Sequence, residues 1–310
     1  RCAMVNYYKT IDGFICPVDT CEPGCWVNCI DPDEEEVNRL IEEFAVDPDF
    51  FRAALDEEES SHLDTEDGNT LVILDIPCVE LDDEHLTYFT RPLGIIITEK
   101  NVITVSLHEN PILDEFAEGL VKNVKTNLKT HFTLHLMLRI ASRYLQYLKQ
   151  IDKLSNQVER ELRKSMKNAE LIQLLEIEKS LMYFSSSLKA DEITIEKIMR
   201  GRAIRLYEED QDLLEDVLIE IKQAIEMAGI HLNILSGTMD AFASIISNNL
   251  NIVMKVLSSI TLIISIPTVI SGIYGMNVGN LPFDNFWFPI WVMVVLMAAA
   301  FFILRKKQMI

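Results

Sequence analysis

In the stretch Asn251-Ile-Val-Met-Lys-Val-Leu-Ser-Ser-Ile-Thr-Leu-Ile-Ile-Ser-Ile-Pro-Thr-Val-Ile-Ser-Gly-Ile-Tyr-Gly-Met-Asn277, no charged residue occurs between Val256 and Tyr274. That run of 19 residues is long enough to cross a bilayer core of about 30 Å as a helix. A helix facing only lipid needs no polar residues, and this one carries a row of them. Asn251, Met254, Ser258, Thr261, Ser265, Thr268 and Gly272 follow at spacings of 3, 4, 3, 4, 3 and 4, a heptad seam on one helical face. Val256, Ile260, Leu262, Ile263, Ile264, Ile266 and Ile270 cover the other faces. Two arrangements use such a seam. Small residues let helices approach closely in lipid, or hydroxyls from several copies line a water-filled pore. Both require partner helices, so both predict an oligomer.

Downstream, Asn285 to Leu304 is a second uncharged run, 20 residues long. Trp287 and Trp291 open it as an interfacial belt, and Arg305-Lys306-Lys307 closes it. Basic residues next to a span favour the cytoplasmic side. Residues 305–310 therefore form a basic cytosolic tail, and 278–284, with Gly279, Asn280, Pro282 and Asp284, an external loop. Two spans return the large N-terminal part to the cytosol, and Lys255 agrees with that orientation. The start, Arg1-Cys-Ala-Met-Val, has no apolar run, so no signal peptide is expected there.

The charge is divided as sharply as the hydropathy. Residues 251–310 hold Lys255, Arg305, Lys306 and Lys307 against Asp284, a net of +3, which leaves −23 of the chain's −20 for residues 1–250. An acidic domain argues against nucleic acid as a partner and suits one that meets cations, although solubility is the usual reason for such a balance. Cysteines stand at 2, 16, 21, 25, 29 and 78. Cys16, Cys21, Cys25 and Cys29 lie at spacings of 5, 4 and 4, without the paired C-x-x-C of a zinc site, so reduced thiols are expected. No catalytic constellation stands out: His62, His85, His108, His131, His135 and His231 include no HExxH, and no Ser sits in a nucleophile elbow. The chain is read as a non-enzyme. His131 and His135, four residues apart, can ligate a metal, but a partly buried helix face is the commoner explanation.

Residues 1–112 read as a mixed α/β domain. Trp26–Ile30, Thr70–Ile76, Thr87–Thr90, Gly94–Thr98 and Val102–Leu107 have strand composition, bounded by Gly, Pro or Asp. Asp33–Glu43 and Asp47–Leu55 read as short helices, the first capped by Asp33. Residues 113–250 read as helical: an amphipathic segment over Asp114–Leu128, a long helix from His131 to about Ser165, a third from Asn168 to about Leu188 and a fourth piece from Asp191. From about Tyr207 a helical pattern runs into the apolar stretch; if unbroken to Tyr274 it holds 68 residues, roughly 100 Å of helix.

Tyr274-Gly275-Met276-Asn277, after a long helical region and before a short loop and one last span, resembles the CorA family of divalent-cation transporters. Asn251 to Gly272 follows that family's pore helix, with its gate region at Met254-Lys255-Val256-Leu257. Trp26-Val-Asn-Cys-Ile-Asp-Pro32 and Leu71-Val-Ile-Leu-Asp-Ile-Pro77 are similar to its soluble domain. The resemblance implies an α+β cytosolic domain, a long helical stalk and two C-terminal transmembrane helices, assembled as a homopentameric funnel in the inner membrane with both termini in the cytoplasm.

It also implies roles for residues. Gly275, Met276 and Asn277 would form the selectivity mouth. Asn251, Met254, Leu257, Ser258, Thr261, Ser265, Thr268 and Gly272 would line the pore, with Met254 and Leu257 as the hydrophobic constriction and Asn251 as a polar ring. Ser265 stands where some relatives carry Met, which makes the pore wider or more polar midway. Mg2+ gives up its water reluctantly, and neutral carboxamides can hold a hydrated ion without stripping it, whereas an acidic ring would hold it too long to conduct. Regulatory Mg2+ would lie between protomers, on Asp216 and Asp212 of the stalk and a partner from Asp64, Glu66 and Asp67. Mg2+ is then both transported and regulatory; Co2+, Ni2+ and Zn2+ stay open as cargo. Two alternatives stand beside this: a ZntB-like zinc transporter of the same architecture, and a membrane-anchored scaffold or sensor without transport.

Overall fold

The computed structural model describes residues 4–82, 85–165, 168–201, 203–276, 285 and 287–309. The β-branched and aromatic N-terminal segments pair into one sheet: β1 (Met4–Ile11), β2 (Phe14–Val18), β3 (Trp26–Ile30), β4 (His62–Glu66), β5 (Asn69–Asp82), β6 (His85–Ile97) and β7 (Val102–Ser106). The order is β2-β1-β3-β7-β6-β5-β4, and only β3 and β7 run parallel. Thr87–Thr90 and Gly94–Thr98, expected as separate strands, join in β6 because β5 pairs with it without a break from Thr70–Ile97 to Asp82–His85. Asp12-Gly13 and Asp67-Gly68, with φ of 51°, 86°, 49° and 80°, make the tight turns of β1–β2 and β4–β5. Two-residue hairpins need positive φ at both positions, which Asp-Gly supplies at low cost.

Strand side chains alternate faces, and each face has its own cover. On one lie α1 (Glu34–Phe44) and α2 (Pro48–Ala54), burying Leu40, Phe50 and Phe51 against Val27, Leu71, Ile73, Ile96, Ile103 and Val105. Asp33 caps α1 as expected: its Oδ1 accepts from Glu36 N–H at 2.8 Å, and Glu36 reaches back to Asp33 N–H. A Cβ on Gly94 would collide with that of Ala54, so α2 lies directly on β6. On the other face lie α3 (Pro111–Ala117), α4 (Lys129–Ser165) and α5 (Asn168–Arg200). Trp26, Phe116 and Phe132 meet there, with Trp26 Nε1–H donating to Thr104 Oγ1 at 2.8 Å. Each of these rings is fully buried, which contributes about 1.5–3 kcal/mol apiece. Tyr88, Tyr144, Tyr147 and Phe184 form a second aromatic cluster.

Two helical expectations need correction. The segment Asp114–Leu128 is not one helix: α3 ends at Ala117, and Gly119 at φ 69° turns the chain out while Leu120 N–H bonds back to Glu115 O, a left-handed C-terminal stop. Nor does the chain break between Leu188 and Asp191. The inward row Leu174, Ile177, Leu181, Phe184, Leu188, Asp191 and Ile195 continues through α5, and Asp191 is a buried member of it rather than a cap.

Asp191 faces β5. Its Oδ1 accepts from Ser61 Oγ–H at 2.7 Å and Asp75 N–H at 2.9 Å, while Oδ2 has no hydrogen-bond partner among the described residues. Burial first, and the neighbouring Asp75 second, hold its pKa well above the usual carboxylate range. Above that usual range the unfolded chain has lost the Asp191 proton while the folded chain still holds it, so stability falls as pH rises toward the folded value. Asp191→Asn keeps the Oδ1 acceptor and removes the ionisation. It is expected to raise the melting temperature at pH 8, by about 2–4 °C for each kcal/mol recovered, with the gain closing toward pH 4. A difference from the parent that does not change with pH, in thermal scans of the purified protein, would show that Asp191 does not titrate with folding.

The remaining helices are α6 (Glu208–Tyr274, 67 residues) and α7 (Trp287–Lys306). Asp210 closes the start of α6 by accepting from Tyr207 N–H at 3.0 Å, and Pro267 lies inside the helix without ending it. Leu214, Val217, Leu218, Ile221 and Ala228 are buried on its first part, whose flank is tied to α4 and α5 by Ser142 to Glu220 at 3.1 Å and by Lys222 to Glu196 at 3.5 Å. The chain separates into two compact units, Arg1–Ser236 and Gly237–Ile310, and α6 contributes to both.

Candidate ion-conducting helix and acidic sites

Among the described residues, the second unit contains two helices long and apolar enough to cross a membrane, the C-terminal part of α6 and α7. Within it α6 has one covered face. Ser259 and Ile270 are buried, and Ile263, Ile266 and Tyr274 are half-buried; their spacings of 4, 3, 4 and 4 put them on one side. Ser259 Oγ–H donates to Met309 O at 3.5 Å, so the segment that follows α7 helps to cover that side. Asn251, Met254, Ser258, Thr261, Ser265, Thr268 and Gly272 are all exposed. At 100° per residue the two rows point about 150° apart on the helix. The covered side of α6 therefore lies away from the polar seam.

The hydroxyls of the seam are turned in a particular way. Thr261 donates to Leu257 O at 2.9 Å, Ser265 to Leu262 O at 2.8 Å and Thr268 to Ile264 O at 3.2 Å. With their protons held by the backbone, these oxygens are left as acceptors, which suits the hydrogens of an ion's water shell. Met254 and Leu257, 51% and 55% exposed, interrupt the seam with apolar side chains. At the far end α6 stops at Tyr274. Gly275 N–H bonds to Ser271 O at 2.8 Å, and a Cβ on Gly275 would lie 2.9 Å from that same oxygen. Gly275 and Met276 thus follow directly on the seam, while Asn277 and the loop 278–284 lie outside the described residues.

A family model described as "CorA-like Mg2+ transporter protein" matches residues 22–306. The chain belongs to the CorA family. That family consists of transporters rather than enzymes. Among curated relatives, the cobalt/magnesium transport protein CorA of Methanocaldococcus jannaschii is 27% identical over 294 residues, covering 91% of this chain and 90% of the relative. A putative metal ion transporter of Bacillus subtilis, YfjQ, is 21% identical over 88% of this chain and 85% of its own. Among solved structures, the complete CorA magnesium transporter of Methanocaldococcus jannaschii has a TM-score of 0.81 at 21% identity, covering 99% of this chain and 98% of that one. The cytoplasmic domain of ZntB from Vibrio parahaemolyticus is more distant, with a TM-score of 0.60 at 13% identity over 80% of this chain and 98% of that domain. These likenesses place the CorA fold on the chain: an N-terminal α/β sheet domain, a long helix and two apolar C-terminal helices.

Within this CorA fold the acidic candidates fall in two places. Asp212 and Asp216 lie one turn apart and exposed on α6. Asp64 and Glu66 stand on the edge strand β4, and Asp67 in the turn after it. Glu66 has company the sequence reading missed. Its carboxyl is held above the usual range chiefly by the charge of Asp47, then by partial desolvation, Asp67, Asp64 and Asp49. Asp47 and Asp49 had been read only as the start of a helix, which they also are, since Asp47 Oδ1 accepts from Asp49 N–H at 2.7 Å. Only the pairing of β4 with β5 brings that helix start beside Glu66. Among the described residues of one chain, no three His, Cys, Asp or Glu side chains converge as a metal site.

The cysteines are dispersed by the sheet. Cys16 pairs with Lys9 on one side of β1, and Cys29 pairs with Val5 on the other, four residues and roughly 13 Å apart along that strand. Cys29 is enclosed in the apolar core under α1, where burial pushes its thiol upward. Burial, and Cys25 after it, raise Cys21 to about 12.

Proposed function

We propose that this protein is a homopentameric, magnesium-preferring divalent-cation channel, in which five copies of the α6 seam enclose an axial pore. The observation that carries this reading is the seam itself, uncovered by α7 and presenting hydroxyl acceptors. A polar row on a spanning helix is costly against lipid unless it meets water or other copies. An inert anchor has no use for it. Residues 1–112 form the cytosolic α/β domain and 113–250 the cytosolic helical region with the stalk. Residues 251–277 form the pore span and 278–284 the external loop. Residues 285–304 form the second span and 305–310 the basic tail, with both termini in the cytoplasm of a cell with an inner membrane.

A hydrated ion meets the Gly275-Met276-Asn277 mouth, follows the acceptors of Thr268, Ser265, Thr261 and Ser258, and passes Met254 and Leu257, where an apolar ring closes the path by excluding water. Asn251 receives it on the cytosolic side. No covalent chemistry is involved: an inward-negative potential supplies about 2.3 kcal/mol per charge per 100 mV, twice that for a divalent ion.

The test is flux into liposomes carrying the purified protein, with Mg2+, Co2+, Ni2+ and Zn2+ supplied one at a time. Mg2+ and Co2+ are expected to enter under an inside-negative potential. Entry of Zn2+ alone would favour a ZntB-like transporter, and no flux of any ion would leave the anchored scaffold.

A further inference from the structure

We propose that His131 and His135 form a binding site for an imidazole-preferring divalent transition-metal ion, the class of Zn2+, Co2+ and Ni2+, built from other residues than the pore seam and the acidic candidates Asp212 and Asp216. Both lie in the first turns of α4, one turn apart, and both project to the same side. Their Nε2 atoms face each other at 3.1 Å, with ring centroids 4.5 Å apart and planes at 81°. A tetrahedral ion with bonds of about 2.0–2.1 Å holds two imidazole nitrogens about 3.3 Å apart. The pair is thus set for one ion with almost no rearrangement.

The surroundings complete the case. His131 Nδ1 lies 3.5 Å from Oδ1 of Asp210, whose side chain is only 5% exposed. A carboxylate on the far nitrogen keeps the proton at Nδ1 and directs the Nε2 lone pair to the metal, the usual support for a metal-binding histidine. The other oxygen of Asp210 accepts from Tyr207 N–H at 3.0 Å, so this carboxylate is fixed by the first turn of α6. Lys129, the nearest cation in sequence, is drawn away to the carbonyls of Thr98 and Glu99 at 2.7 and 2.5 Å. A cavity of about 560 Å³, lined by His131, Asp210, Thr130, Arg205, Tyr207 and Glu209 among others, offers an entry path and room for the waters that fill the remaining coordination positions. A simple hydrogen bond, with one Nε2–H donating to the lone pair of the other Nε2, has the same distance, and metal titration separates the two.

The experiment uses the full-length protein in mild detergent, freed of metal with a chelator and titrated with Co2+ by equilibrium dialysis. Millimolar Mg2+ is present to occupy oxygen-only sites. The parent is expected to bind one Co2+ per chain more than His131→Gln/His135→Gln, and Asp210→Asn to weaken that site about 10–100-fold. The single variant His135→Gln, one half-buried ring on a 37-residue helix, is measured alongside in case the double variant does not fold. If His135→Gln binds Co2+ with the parent's stoichiometry and affinity, the site does not exist.

Discussion

Asn277→Ala is expected to abolish Mg2+ uptake while leaving the ring of five chains assembled. The seam of α6 ends where Gly275 stops the helix, and Asn277 is the next polar residue in sequence, the one proposed for the mouth. Five carboxamides there would present neutral acceptors to the water shell of an arriving Mg2+. The first shell of this ion is released reluctantly, so the mouth has to hold the hydrated ion rather than replace its waters. Alanine removes every one of those acceptors. The expected result is Mg2+ flux into liposomes at the level of protein-free vesicles, together with a native mass still corresponding to five chains. Parental flux in the variant would remove Asn277 from the mouth, and a monomeric or dimeric parent in the same mass measurement would remove the pore.

Asp216→Lys is expected to release the channel from inhibition by internal Mg2+. Asp216 is exposed on α6, one turn beyond Asp212, and 41 residues before Leu257 on the same unbroken helix. An ion shared between Asp216 of one protomer and acidic residues of the next would cancel their repulsion and hold the ring closed. When internal Mg2+ falls the ion would leave, the carboxylates would repel and the stalks would separate. Moving a two-state gate from 1:99 to 99:1 takes about 5.5 kcal/mol, about 1 kcal/mol from each of five sites. A lysine puts a fixed positive charge where the ion would sit, so closure no longer follows its concentration. In liposomes loaded with no Mg2+ or with millimolar Mg2+, the parent should slow with loading and the variant should not. Equal inhibition of both would return Asp216 to a solvated helix face.

Much of this protein is legible in its sequence because the deciding signals are local. A charge-free run, a heptad of small polar residues and a basic stop are properties of neighbouring residues, and they mark the two apolar helices without reference to anything else in the chain. The continuous helical pattern from Tyr207 to Tyr274 is likewise local, and α6 departs from it by one residue at its start. The CorA resemblance rests on the same stretch with its terminal Gly-Met-Asn. Apolar alternation marked β3, β5, β6 and β7, and Asp33 marked the start of α1.

Contacts between distant segments decided the rest. That the covered side of α6 lies opposite the seam depends on contacts such as that of Ser259 with Met309, 50 residues away. The helix break expected near Leu188 is absent because Asp191, polar and so read as a boundary, is held inside by Ser61 and Asp75, 130 and 116 residues away. Cys16 and Cys29, close in sequence, stand apart because strand pairing separates them along β1. Asp47 meets Glu66 only through the sheet, and His131 meets Asp210 only where α4 packs beside the start of α6. Periodicity tells which residues leave water, but not which of them meet, because the partner is chosen by packing across the whole fold.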